Sequence, residues 1–298
     1  MISLAALAAL AEEHRDTLDL PVAPVVLGHR VIDSDTTPVV MATLNLSRDS
    51  TYRDSIATST ESAVRRGRIF TAQGADMVDI GAESTNASAT RVERQGQIDT
   101  LVPVIKALAD HEVVVSAETY HPEVAQACLE AGAKVLNFTG AEHQEEIFDL
   151  AVAFGATVIL CSVLGSNVRD VADVQREADP FPGFVAHFED RVAQARSQGL
   201  EQIIIDPGLG FFYGNLAVPS VRVDFQTRVI LQTFRLRALG LPVCHALPHA
   251  FDLFQEQFRE AEPMFAVLAK LGGTGVFRTH EVPQVRAVLD ALQFLQVR

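Results

Sequence analysis

The sequence predicts an α/β chain closed into a (β/α)8 TIM barrel, preceded by an N-terminal helix and a hairpin extension, and three observations carry that prediction. Eight short apolar runs rich in β-branched residues alternate with eight amphipathic stretches of helical period. Prolines 122 and 283 stand just inside helix starts, whereas glycines 74, 132, 155, 199 and 240 stand just past helix ends, the asymmetry that helix capping favours. Polar side chains gather at the C-terminal tips of the runs, where barrels of parallel strands bind their ligands.

Residues 2–12, ISLAALAALAE, are rich in Ala and Leu like the apolar core of a signal peptide, but no Lys or Arg precedes them and Glu12 and Glu13 follow. An amphipathic N-terminal helix is the expectation. Val22–Val31 reads as a short hairpin or lid strand across the bottom of the barrel, and Asp33–Pro38 as a polar loop. Residues 1–37 then form the extension and 38–298 the barrel, with no linker, low-complexity segment or second domain between them.

Strand-like runs follow at Val39–Leu44, Met77–Gly81, Val113–Glu118, Lys134–Phe138, Thr157–Cys161, Gln202–Asp206, Pro242–Ala246 and Gly275–Thr279. The helical stretches between and after them are Thr60–Gln73, Gln97–Ala109, Pro122–Ala131, His143–Phe154, Gly183–Gln198, Asp224–Leu239, Phe251–Lys270 and Val282–Leu295. Right-handed crossovers close eight such units into a barrel of about the usual 250 residues.

Bulk properties exclude several functions. A chain of 298 residues with 48% hydrophobic residues can bury a large core, and its formal net charge of -14 argues against nucleic-acid or anionic-membrane binding. An anionic substrate would therefore be held by a few local cations or a metal. The three cysteines, Cys128, Cys161 and Cys244, are odd in number and far apart, which points to reduced thiols in a cytoplasm rather than to a disulfide framework.

Within Gln202–Phe212, QIIIDPGLGFF, three consecutive isoleucines read as a strand buried on both faces, ended abruptly by an acid and Pro-Gly. Asp206 thus stands at a strand tip, where taken alone it could serve as a turn cap. The same construction recurs along the chain. At or just beyond the other tips stand Asn45, Glu83 with Ser84 and Thr85, Glu118 with Thr119, Asn137, Ser162, His245, and Arg278 with His280. Acids, amides, hydroxyls, an arginine and histidines converging on one rim describe an enzyme active site.

The segments LNLSRDS (Leu44–Ser50), DIGAEST (Asp79–Thr85), ETYHPEVAQACLEAGAKVLN (Glu118–Asn137), DPGLGF (Asp206–Phe211) and FRTHEV (Phe277–Val282) resemble the ordered motif series of the dihydropteroate synthases from about Met41 onward. The resemblance implies a (β/α)8 barrel, a homodimer, and condensation of a pterin hydroxymethyl pyrophosphate with p-aminobenzoate in folate synthesis, with Mg2+ on the pyrophosphate. It implies Asn45 as the metal and pyrophosphate ligand, Arg278 and His280 as the pair on the leaving pyrophosphate, and Thr85 as a substrate contact. Asp206 and Asn137 match the residues that meet the pterin ring edge, and Glu118 stands where the family has a strand-three aspartate. Arg278 could instead pair with a neighbouring acid, since the chain carries 38 of them.

Around the ring-edge residues the chain departs from the family. Phe138 replaces an aspartate and offers an apolar surface, Leu247-Pro248-His249 replaces a Ser-Arg-Lys signature, Cys161-Ser162 replaces Met-His, and Asn86 replaces an arginine. Phe138, Ser162, Phe211 and His249 are accordingly the expected substrate-binding residues of a remodelled pocket. None of Lys106, Lys134 and Lys270 can supply the missing pterin-contacting lysine, because all three fall in helices or at a strand start. Two other readings stay open: a divergent paralogue that binds or regulates without synthase activity, and an enzyme acting on another phosphorylated or heteroaromatic substrate.

Overall fold

Strands and helices alternate along the chain, and the strands pair in sequence order around a common axis. The computed structural model describes residues 2–47, 49, 56–57, 59–85, 89–171, 173, 179–211 and 213–295. Two helices, α1 (Leu4–Glu13) and α2 (Arg15–Leu18), precede an antiparallel hairpin of β1 (Val25–Leu27) and β2 (Arg30–Ile32). Ser3 caps α1 by accepting from the Ala6 N–H at 3.2 Å. Val25 and Leu27 are fully buried, and the Thr157 hydroxyl donates to the Val26 carbonyl at 2.5 Å. Thr157 opens a barrel strand, so the hairpin covers the N-terminal end of the barrel.

The barrel units are β3 (Val39–Asn45), α3 (Thr60–Ala72), β4 (Met77–Gly81), α4 (Arg94–Ala109), β5 (Val115–Thr119), α5 (Pro122–Glu130), β6 (Val135–Phe138), α6 (Gln144–Phe154), β7 (Thr157–Cys161) and α7 (Phe181–Ser197). They continue through β8 (Ile203–Asp206), α8 (Pro219–Leu231), β9 (Cys244–Ala246), α9 (Phe251–Phe254), α10 (Ala261–Leu271), β10 (Val276–Thr279) and α11 (Val282–Phe294). Among the described residues the eight parallel strands run in the order β8-β7-β6-β5-β4-β3-β10-β9. The two edges meet where the Ile205 N–H donates to the Pro242 carbonyl at 3.0 Å and Ile205 bridges Val243. The result is a nearly closed (β/α)8 barrel. Asp76 ties its first and last units together, accepting from Arg286 at 2.6 Å and from the Val40 N–H at 2.9 Å.

Two expected helices are interrupted. The stretch Asp224–Leu239 is α8 to Leu231 and then a 3-10 segment, Thr233–Leu239, because the Thr233 hydroxyl bonds back to the Val229 and Ile230 carbonyls. The stretch Phe251–Lys270 breaks into α9, a 3-10 segment at Gln255–Glu260 with Gln255 at φ +50°, and α10. Arg259 within that segment is drawn to Glu281 at 2.6 Å, and the restart places Glu262 in the first turn of α10.

Strand parity sorts the candidate residues. Successive side chains of a strand point to opposite faces. The registers put Asp79, Ser116, Glu118, Asn137, Cys161, Asp206 and Arg278 on the inner face, and hydrogen bonds among several of them follow from that. Their neighbours Phe138 and His245 therefore face the helices.

Candidate active site

At the C-terminal mouth of the barrel lies a cavity of about 160 Å3 whose walls include Asn45, Thr85, Glu118, Phe211, His249 and Arg278, together with His280. The C-terminal ends of β3, β4, β5, β8, β9 and β10, or the loops that follow them, thus each contribute at least one side chain predicted from the sequence. A larger groove of about 580 Å3 between α1 and α8 is mostly apolar, and two of its charged side chains, Asp224 and Arg228, pair with each other at 3.2 Å.

Beneath the cavity, Asp79 and Asn137 are each 1% exposed and Asp206 is 2% exposed. Asp79 accepts from the Ser116 hydroxyl at 2.7 Å and from the Asn137 amide at 2.9 Å, while the Cys161 thiol donates to the Asn137 carbonyl at 3.3 Å. Arg278 reaches Asp79 at 3.6 Å. The sequence raised an ion pair as the bland reading of Arg278, and both readings hold at once, because its side chain is bounded by acids below and the cavity above. Burial pushes the Asp79 and Asp206 carboxyls up, with Arg278 opposing. Burial and the Asp79 charge push Glu118 up to about 7. Burial disfavours the charged form of Arg278, but Glu118, Asp206 and Asp79 outweigh it and hold the guanidinium charged.

The β8 turn is shaped to admit this cation. Gly208 has φ +79°, and a Cβ there would lie 2.4 Å from the Ser162 carbonyl. Its N–H donates to the Asp206 carboxylate at 2.8 Å. A Cβ at Gly210 would stand 2.9 Å from the Arg278 guanidinium. Any larger residue at either position collides with backbone or with the arginine.

Three expectations need correction. Phe138 is not a pocket surface: it is fully buried on the outer face of β6, with the Arg191 guanidinium 5.5 Å from its ring centroid. Because Asn137 faces inward, its successor must face outward. The same parity turns His245 away from the rim, where its Nε2 pairs with the Thr233 hydroxyl at 2.8 Å. Ser162 is 4% exposed and meets the site through its backbone, its N–H donating to the Asp206 carbonyl at 2.7 Å. The inward side chain at that strand end is Cys161, whose thiol burial holds well above its ordinary range, so it is no nucleophile. Asn86 lies outside the described residues.

Two residues escaped the sequence reading. Asp79 sits in the middle of a buried strand at inward parity, a signal visible in MVDIG had phase been applied. Glu262 shares the buried stripe of α10 with Phe265, Ala266 and Ala269, the spacing of one helical face. It accepts at 3.0 Å from each of the Nδ1 atoms of His249 and His280, at 2.8 Å from the His280 N–H, at 3.2 Å from the Glu281 N–H, and from the Thr279 hydroxyl. Burial alone would raise this carboxyl, but the hydrogen bonds and charge of the two histidines prevail and hold it far below the usual range. Burial lowers His280, with Glu262 opposing.

The second loop is braced from outside. Glu83, expected at the rim, accepts from the Val92 N–H at 2.9 Å and from the Tyr120 hydroxyl at 2.7 Å. Arg169 donates to the Ser84 carbonyl, and to that of Ala89 at 2.6 Å. These contacts position Thr85 at the cavity wall.

Comparison with known proteins gives concordant results. The family model described as pterin binding enzyme matches residues 41–280. A probable bifunctional folylpolyglutamate synthase/dihydropteroate synthase of Halobacterium salinarum is 30% identical over 278 residues, covering 91% of this chain but 33% of the relative, so the chain spans about a third of that protein's length. The dihydropteroate synthase of Synechocystis sp. is 28% identical over 289 residues, covering 90% of this chain and 95% of the relative. Among solved structures, Xanthomonas albilineans dihydropteroate synthase with 4-aminobenzoic acid superposes with a TM-score of 0.76 at 27% identity, covering 92% of this chain and 100% of that one.

Proposed function

The chain belongs to the pterin-binding enzyme family, and from that premise we propose that it is a transferase of the dihydropteroate synthase type, condensing a pterin hydroxymethyl pyrophosphate with p-aminobenzoate. The observation that carries the proposal is the stacking of one arginine, Arg278, between an open cavity and the buried acids Asp79 and Asp206. A pterin pyrophosphate needs both halves: acceptors for ring donors below and a cation for the anion above.

Asp206 offers two carboxylate acceptors to a ring that presents adjacent amino and N–H donors. As the pyrophosphate departs, charge builds on its oxygens, and Arg278 with His280 stabilises that charge electrostatically without a covalent nucleophile. The acids beneath Arg278 favour the cationic methylene left behind, and Glu118, with its pKa near 7, can take the proton that the attacking amine sheds. Phe138 leaves the pocket interior untouched, because its ring packs outside the barrel under Arg191. What remains altered is the wall at Leu247 and His249, where the imidazole and not a lysine faces the cavity.

Asn45 supports a magnesium site of the family's kind, because a carboxamide oxygen at the cavity wall joins substrate phosphate oxygens and water in the hard-donor set the ion prefers. Bound there, magnesium would neutralise pyrophosphate charge. A cytoplasmic location is supported by three buried free thiols, and a homodimer by apolar side chains exposed at the ends of the adjacent helices α10 and α11, Leu271 and Phe294.

The test is turnover of pterin hydroxymethyl pyrophosphate and p-aminobenzoate with Mg2+, read as dihydropteroate by mass spectrometry. Magnesium-dependent product formation is expected. No product from folded protein at saturating substrates would favour a paralogue without synthase activity.

A further inference from the structure

Two histidines and a glutamate from three separate segments converge at the cavity wall. His249 follows β9, His280 follows β10, and Glu262 opens α10. Both imidazole Nδ1 atoms stand 3.0 Å from the same carboxylate oxygen, Oε1 of Glu262, and the candidate donor atoms of the three residues all lie within 4.8 Å of one another. The ring centroids are 4.8 Å apart at 63°, an edge-on arrangement that turns the two rings toward a common point.

The donor set discriminates among ions. Two borderline imidazole nitrogens with one carboxylate oxygen make a mixed donor set that suits zinc and its transition-metal neighbours, whereas magnesium prefers oxygen alone. Bonds of about 2.0–2.2 Å in tetrahedral geometry separate neighbouring ligand atoms by roughly 3.4 Å. The two nitrogen-to-oxygen spacings of 3.0 Å need to open by only a few tenths of an ångström.

The surroundings are those of a prepared ligand. Glu262 is 1% exposed, and its other oxygen, Oε2, is fixed by the Thr279 hydroxyl and the backbone N–H groups of His280 and Glu281. Such outer hydrogen bonds are what orient ligating carboxylates. Both histidines line the cavity, so a further coordination position opens on the side from which substrate enters.

We propose that His249, Glu262 and His280 form a binding site for a divalent transition-metal ion of the zinc class, separate from any magnesium at Asn45, the ion taking the place of the Nδ1 protons now donated to Glu262, which move to Nε2 or to solvent. The site stands on its own chemistry, so its failure would leave the proposed transferase reaction intact.

The test uses the full chain, stripped with a chelator and exchanged into metal-free buffer, titrated with Co2+ and followed by visible d–d absorption. One equivalent of Co2+ should develop the absorption of a low-symmetry nitrogen and oxygen site, Zn2+ should abolish it, and excess Mg2+ should not. His249→Ala should weaken binding at least about tenfold, an order of effect typical of losing a metal ligand. Glu262→Gln should do the same, and because burial of this carboxyl makes that variant the riskier fold, the partly exposed His249 is the deciding position. Absence of the absorption in folded wild type would overturn the proposal, and Co2+ binding unchanged in His249→Ala would mean an adventitious ion only and overturn it equally.

Discussion

Asp79 and Glu262 are equally buried, each 1% exposed, yet their ionisation is driven in opposite directions. Asp79 has two neutral donors, Ser116 and Asn137, an arginine at 3.6 Å and another acid nearby, and its carboxyl is raised. Glu262 has a hydroxyl, two backbone N–H groups and two imidazoles, and its carboxyl is lowered. Burial raises both. The inventory of donors decides the sign, and it divides the mouth of the barrel into an interior whose acids share one arginine against the cost of burial and a wall whose carboxylate is held ionised.

The largest effect that would break this contrast is at Arg278, the cation on which the interior cluster depends. Arg278→Ala should lower turnover by about 10²–10³-fold, the range for losing one preorganised electrostatic contact to a developing anion. It should also destabilise the fold, since unpaired buried acids remain. Steady-state kinetics with a melting curve on the same protein tests both, and turnover within a factor of about three of wild type would remove Arg278 from the site.

Phe138 sharpens the contrast by standing outside it. Phe138→Ala should cost about 3–5 kcal/mol of stability as a core truncation while leaving pyrophosphate affinity unchanged in calorimetry. A changed affinity at unchanged stability would return Phe138 to the pocket.

At the wall, Glu262→Gln replaces one acceptor pair by a donor and should destabilise by about 1–3 kcal/mol at neutral pH. The folded pKa of Glu262 lies below its unfolded value of 4.5, so its contribution is present above that value and is lost as pH falls toward the folded pKa. Chemical denaturation from pH 7 to 3 should therefore show the variant's deficit shrinking in acid. A deficit that stays constant would mean that the carboxylate charge is not what stabilises the wall.

An effect of opposite sign belongs to Glu118, whose folded pKa is raised from 4.5 to about 7. Its ionisation weakens the fold as pH rises through that window, and the cost persists above it. Glu118→Gln should melt higher than wild type at pH 8 and converge with it near pH 5. Parallel pH profiles would contradict the raised pKa.

Much of this architecture is legible in the chain. The run IIID and the glycines after it announce a buried strand and a ligand-facing turn, and the alternation of eight such runs with helices leaves little choice but a barrel. Asn45, Thr85, Glu118, Arg278 and His280 were readable as rim residues because each lies at or after a strand end, whereas Phe211 and His249 were reached only through the family resemblance. What the sequence obscured is phase and partnership. Phe138 and His245 sit one residue from inward-facing neighbours, and a strand three or four residues long carries too few positions for its parity to be read with its register unknown. Glu262 lies on a helix that sequence periodicity merges with the segment before it, and its partners come from two other loops.

The central claim is that Asp206, beneath Arg278, reads the donor edge of a pterin-like ring. Isothermal titration of pterin hydroxymethyl pyrophosphate into wild type and Asp206→Asn in the presence of Mg2+ tests it most directly, because an amide must turn a donor toward one of the ring's two donors. Saturable binding by wild type and a loss of at least about 100-fold in the variant are expected, as two buried hydrogen bonds are compromised together. Equal affinity for the two proteins, or no binding by folded wild type, would contradict the account.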